Sequence, residues 1–145
     1  MWIQRGDPLV VIGKDQLRPA TVDEKTGAKL TGLFGKKGML DIELYKRLDK
    51  VSLEKEPGFK IFLFHTGITE YKPKELTEME SIDEGLLPRG FDYYAGGHIH
   101  YLFNKDNKLA FPGPTFPNNF KELEELKHGT FCFYNNEKGS TLGSR

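Results

Sequence analysis

The sequence contains little cysteine, no excess of either charge and no long apolar run. Cys132 is the only cysteine among 145 residues, so an intrachain disulfide is excluded and a reducing compartment is favoured. Lys and Arg together number 21, as do Asp and Glu, and the formal net charge is +0. A chain without a global positive field needs local patches to bind nucleic acid.

No run approaches the roughly 18 consecutive apolar residues from which a membrane-spanning helix is recognised. Residues 1–6 also lack the apolar stretch of a signal peptide. We therefore expect a cytoplasmic protein with no membrane partner. Hydrophobic residues make up 37% of the chain and charged residues 29%, which is typical of one globular domain.

The order of apolar patterns predicts an α/β protein with a mixed sheet. Apolar residues at spacings of three and four predict an amphipathic helix over residues 39–51, and residues 73–79 suit a second, short helix. Apolar runs bounded by Pro, Gly or Asn predict strands at 8–13, 28–35, 59–64, 91–95, 101–103, 108–111 and 130–134. The domain would span residues 1–138, and the Gly- and Ser-rich residues 139–145 predict a flexible tail.

Three histidines stand where strands are predicted to end. His65 follows a nearly continuous apolar run, and His98 and His100 follow an aromatic-rich strand that ends in two glycines. In an extended segment alternate side chains share one face, so His98 and His100 could hold one metal ion or serve two neighbouring ions. The carboxyl ends of strands in open α/β sheets collect ligand sites, so His65 could join them.

A bare H-x-H pair also occurs by chance, and a single histidine is usually a packing or surface residue. The doubled glycine, the strand before it and the second strand ending in His65 favour a metal site. His128 is predicted to lie in a surface loop outside this site. Neutral imidazole binds zinc, manganese and iron, with carboxylates usually added for manganese.

Three segments carry a family resemblance: Phe-Leu-Phe-His-Thr-Gly at residues 62–67, Tyr-Tyr-Ala-Gly-Gly-His-Ile-His at 93–100 and Phe-Pro-Gly-Pro at 111–114. Their order and spacing resemble the last motifs of calcineurin-like metallophosphoesterases. The likeness within that superfamily is greatest to the SbcD nuclease family, called meiotic-recombination-eleven in eukaryotes and archaea. It covers the span from Lys29 to Tyr134.

The resemblance implies the C-terminal half of a metallophosphoesterase sandwich, with mixed β-sheets flanked by helices. It also implies that His65 and His98 bind the second metal ion of a binuclear centre and that His100 binds the first. Manganese is the usual metal, with zinc possible, and the two ions activate a bridging hydroxide for attack on phosphorus. No catalytic residue beyond these metal ligands is assigned.

The sequence departs from the family pattern in three ways. The family's series of D-x-H, G-D and G-N-H motifs is not found before His65, and Asp7 and Asp15 stand outside that context. Thr66 replaces a common glutamine, and Pro114 replaces a common serine. The chain therefore holds an incomplete site, and enzyme activity is expected of the full-length parent.

The resemblance implies part of a metal-dependent DNA nuclease, acting as an exonuclease or endonuclease in double-strand-break repair. Its expected partners are DNA, an SbcC-type ATPase subunit and a second copy of the parent. One alternative is a phosphoesterase of the same superfamily that acts on small phosphate esters or nucleotides. Another is a non-catalytic metal-binding or scaffolding fragment that holds one zinc ion through three histidines.

Overall fold

The computed structural model describes residues 21–33, 35 and 40–144, which form a mixed α/β fold. The strand predicted at residues 8–13 lies outside the described residues. The described strands are β1 (Thr21–Val22), β2 (Lys29–Leu33), β3 (Lys60–Phe64), β4 (Gly67–Ile68), β5 (Ser81–Ile82), β6 (Tyr93–Gly96), β7 (Leu102–Lys105), β8 (Leu109–Pro112), β9 (Thr130–Asn135) and β10 (Gly139–Ser144). The α-helices are α1 (Leu40–Arg47), α2 (Lys50–Lys55) and α3 (Phe120–Leu126), and short 3₁₀ helices occupy Thr69–Tyr71, Lys74–Leu76 and Glu84–Leu86.

The main sheet has six described strands in the order β1-β2-β3-β6-β8-β7. The four inner strands run parallel, and β1 and β7 are antiparallel to their neighbours. Leu33 pairs with Phe64, and Phe64 pairs with Gly96. The carboxyl ends of β2, β3 and β6 therefore lie side by side at one edge of the sheet.

Strand β3 is covered on both faces, as its continuous apolar run predicted. Phe62 is fully buried in the larger core cluster, which also contains residues from α1 and α2. Ile61 on the opposite face belongs to a second cluster with Tyr93, against which Tyr134 of β9 packs. The rings of Tyr93 and Tyr134 have centroids 4.5 Å apart.

The helix predicted over residues 39–51 is divided into α1 and α2. Asp49 caps the second helix, since its side chain accepts hydrogen bonds from Ser52 N at 3.1 Å and Ser52 Oγ at 2.7 Å. Aspartate competes with the helix for backbone donors and favours the position before a helix. A local capping contact thus interrupts an otherwise continuous apolar face.

Lys60 ties the end of α2 to the first residue of β3. This lysine is buried, and its Nζ donates to the carbonyl oxygens of Leu53 at 2.9 Å and Glu54 at 3.1 Å. Its ammonium also lies 4.8 Å from the centroid of the Phe91 ring. The carbonyl groups and the ring face thus surround a buried cation with negative partial charge.

The predicted hairpin between β7 and β8 is confirmed. Asp106 has φ 50° and Asn107 has φ 55°, both in the left-handed region, and Lys108 N donates to Lys105 O at 2.9 Å to close a tight turn. The interpretation of residues 139–145 as a flexible tail differs from the structure, since Gly139–Ser144 forms β10 and pairs with β9. Ser140 anchors this strand, because its Oγ donates to Asn104 Oδ1 at 2.9 Å.

No described helix combines the length and apolar character that crossing a membrane requires.

Candidate metal-binding site

Two of the three predicted histidines meet where adjacent parallel strands end. His65 directly follows β3, and His98 lies two residues beyond β6. Gly97 N donates to Phe64 O at 2.9 Å, which extends the contact between the two strands past their last paired residues. The rings of His65 and His98, which we call the histidine pair, have centroids 5.1 Å apart and planes inclined by 60°. Both side chains are exposed to solvent.

Glycines on both sides give His65 the room it occupies. A Cβ on Gly35 would lie 2.5 Å from His65 O and 2.6 Å from His65 Nδ1, and a Cβ on Gly97 would lie 2.9 Å from His65 Cδ2. Contacts below 3.0 Å force one partner to move. Gly97 therefore lies close against the His65 ring, whereas Gly96 lies against the Phe64 and Phe111 rings.

The prediction that residues 98–100 form an extended segment is wrong. His98 has φ 80°, a left-handed conformation that non-glycine residues rarely adopt, and β6 has already ended at Gly96. Ile99 is buried, while His98 and His100 on either side of it are exposed. Backbone strain of this kind concentrates at functional sites.

His100 lies against α3. Its Nδ1 is 3.0 Å from Glu122 Oε1 and 3.4 Å from Asn118 Nδ2. The backbone N–H of Asn118 is the main cause that holds the pKa of Glu122 below its ordinary value, and His100 adds to the effect. Glu122 is therefore an ionised partner of His100 at neutral pH.

Glu122 and Asn118 were not identified from the sequence. A signal for the helix start does exist, since Asn119 is followed three residues later by Glu122, a spacing that resembles a capping box. The described contacts match this pattern, because Asn119 Oδ1 accepts from Glu122 N at 2.9 Å. That signal predicts a helix but gives no indication of a contact with His100.

The distance between the two rings of the histidine pair matches that of two ligands of a single metal ion. A metal–nitrogen bond of about 2.0–2.1 Å places an imidazole centre roughly 3.2 Å from the ion. Two rings at angles of about 90–110° around that ion then have centroids roughly 4.5–5.2 Å apart. The observed separation of 5.1 Å lies in this interval.

A complete ligand set is not present in the part of the chain that the structure describes. Within those residues, no group of three or more His, Cys, Asp and Glu side chains could hold a metal ion. His100 is engaged with Glu122, and His128 is an exposed residue whose Nδ1 is 3.3 Å from Gly129 O. A metal ion bound at the histidine pair would therefore need further ligands.

The chain matches no protein-family model, and no curated protein matches it.

We expect the substitution Gly35→Ala to displace His65, because the added Cβ meets both its carbonyl oxygen and its ring. Overpacking of this kind costs about 1–3 kcal/mol of unfolding free energy. NMR imidazole signals of His65 should shift, and urea unfolding should report the loss of stability. Gly85→Ala is the matched control, since a Cβ there meets nothing within 4 Å. Equal behaviour of the two variants would show that Gly35 does not position His65.

Proposed function

We propose that this chain supplies the histidine ligands of the metal centre of a metal-dependent phosphoesterase. His65 and His98 bind one ion, and His100 binds a second. The observation that supports this proposal is the 5.1 Å separation of the histidine pair across the carboxyl ends of adjacent parallel strands. Ligands of open α/β sheets bind at such ends.

In this proposal the residues of this chain bind a metal ion and orient the histidine rings that hold it. His65 and His98 provide neutral nitrogen donors, and the close backbone at Gly35 and Gly97 limits how the His65 ring can turn. A binuclear centre supplies an activated hydroxide and stabilises charge on the leaving oxygen. The carboxylate ligands that manganese favours are expected from the D-x-H, G-D and G-N-H motifs, so catalysis belongs to a protein that carries both sets.

The substrate we propose is a DNA phosphodiester, and the fold we propose is the C-terminal part of an SbcD-like nuclease sandwich. The support comes from the three motif segments, with their order and spacing, and from the position of the histidine pair. Partners on this proposal are DNA, an SbcC-type ATPase subunit and a second copy of the longer protein. Because the net charge is +0, contacts with DNA phosphates depend on local groups.

Metal binding tests the proposal first, in a longer protein that supplies the D-x-H, G-D and G-N-H ligands. Manganese titration followed by electron paramagnetic resonance should show an ion bound to this protein when it carries no substitution. Substitution of an outer-shell partner typically lowers metal affinity about 10–100-fold, so His65→Ala and His98→Ala should each cost at least about tenfold. His128→Ala, a change at an exposed histidine outside the pair, should bind like the wild type. Binding that is absent, or that all three variants weaken equally, contradicts the proposed metal site.

The substrate is tested with a longer protein that contains the D-x-H, G-D and G-N-H motifs. We expect manganese-dependent nicking or exonucleolytic degradation of plasmid DNA, lost on His98→Ala. A small phosphate ester serves as the comparison substrate. Hydrolysis of the ester without cleavage of DNA would replace the nuclease with a small-molecule phosphoesterase.

A further inference from the structure

Glu122 is the carboxylate closest to a predicted ligand histidine among the described contacts. Its Oε1 is 3.0 Å from His100 Nδ1. We propose that Glu122 positions His100 and holds the tautomer in which Nδ1 carries the proton and Nε2 carries the lone pair. The ligand role of His100 rests on the proposed function, whereas the tautomer can be measured without any metal.

Two further hydrogen bonds fix the Glu122 side chain. Asn118 N donates to Oε2 at 2.8 Å, and Asn119 Nδ2 donates to Oε1 at 3.0 Å. The Glu122 side chain is only 16% exposed, while that of His100 is 42% exposed. These bonds already fix the conformation of the Glu122 carboxylate. The contact with the His100 imidazole therefore costs little additional side-chain entropy.

The chemistry of the contact selects one tautomer. An ionised carboxylate only accepts hydrogen bonds, so His100 must donate to it through Nδ1. The Asn118 amide nitrogen is farther away, at 3.4 Å, and a charge-assisted bond at 3.0 Å outweighs it. A neutral imidazole with its proton on Nδ1 has its lone pair on Nε2, the atom available to a metal.

This arrangement has the form of a carboxylate–histidine–metal triad, in which an outer carboxylate orients the ring and raises its basicity. A helix-capping role alone would also use Glu122, since its backbone N–H donates to Asn119 Oδ1 at 2.9 Å. The two roles differ in one measurable respect. Capping does not depend on which nitrogen of His100 carries the proton.

The tautomer of His100 in the metal-free chain is measured from its ¹⁵N chemical shifts at a pH where the imidazole is uncharged. In the wild type we expect the Nδ1-protonated form to predominate. In Glu122→Gln the amide oxygen can still accept from Asn118 N, while the amide nitrogen can donate to His100 Nδ1. The major form should therefore change to Nε2-protonated.

Glu124→Gln is the matched control, because it removes the same charge from an exposed position of α3. It should leave the His100 tautomer unchanged. The amide signals of α3 show whether the helix persists in each variant. If a variant loses the helix, the proposal is judged from the His100 tautomer of the wild type alone. A wild-type His100 protonated mainly on Nε2, or an unchanged tautomer in a folded Glu122→Gln variant, overturns the proposal.

Manganese affinity separates this inference from the proposed function. If both hold, Glu122→Gln should lower the affinity about 10–100-fold and Glu124→Gln should not. If the wild type binds no manganese but the tautomer responds to Glu122→Gln, Glu122 still positions His100 and the proposed metal centre fails. If manganese binds while the tautomer does not respond, the metal centre stands and the positioning role fails.

Discussion

The substitution Phe111→Ala is expected to lower the free energy of unfolding by about 3–5 kcal/mol. Phe111 is fully buried in the larger core cluster. Its ring packs edge-on against Phe64 with centroids 5.5 Å apart and stacks on Tyr101 at 5.9 Å. Removal of the ring leaves a cavity beneath the residue that precedes His65 and beside the residue that follows His100, so stability and site geometry should both suffer. Urea unfolding followed by tyrosine fluorescence measures the loss.

Phe120→Ala is the control for this prediction. It removes the same ring from a side chain that is 90% exposed, so its effect on unfolding should stay within about 0.5 kcal/mol. The imidazole signals of His65 should change in Phe111→Ala and remain in place in Phe120→Ala. Similar stability losses in the two variants would be incompatible with the described core.

The strands that carry the histidine pair were predictable because burial dictates their composition. A parallel strand covered on both faces must be almost wholly apolar, and Phe59–Phe64 meets that requirement. The same reasoning places His65 at the first polar position after the strand. Gly96 and Gly97 marked the other strand end, and the structure places His98 beside His65 there.

Local polar contacts were harder to predict than burial. The apolar face over residues 39–51 is real, but Asp49 starts a new helix through its hydrogen bonds with Ser52. Helix α3 was missed, although Phe120, Leu123 and Leu126 recur at a spacing of three and the spacing of Asn119 and Glu122 resembles a capping box.

The site itself was only partly predictable, because its contacts join distant parts of the chain. His100 and Glu122 are separated by 22 positions, and no periodicity connects them. The left-handed backbone of His98 was also not predictable, since a histidine carries no local preference strong enough to indicate φ 80°. Tertiary packing determines both features. The positions of the histidines after the strand ends could be predicted, because they follow from the apolar composition of the strands.

Gly129→Ala is the second substitution expected to cost much stability. A Cβ at this position would lie 1.9 Å from Thr115 O and 2.7 Å from Thr115 C. Both atoms belong to the backbone, so no side-chain rotation can relieve the overlap, and we expect a loss of about 3 kcal/mol or more. The backbone on both sides is also tied together, since Thr130 N donates to Pro114 O at 2.9 Å.

The same overlap should reach the site, because the segment that begins at Pro114 leads into Asn118 and α3. Displacement of Thr115 should therefore loosen the contact between His100 Nδ1 and Glu122 Oε1, which the ¹⁵N signals of His100 report. Gly85→Ala adds the same methyl group where nothing lies within 4 Å and should change neither quantity. A Gly129→Ala variant as stable as Gly85→Ala would mean that the two backbone segments do not cross as closely as described. A destabilised variant with unchanged His100 signals would show instead that α3 holds His100 independently of the crossing.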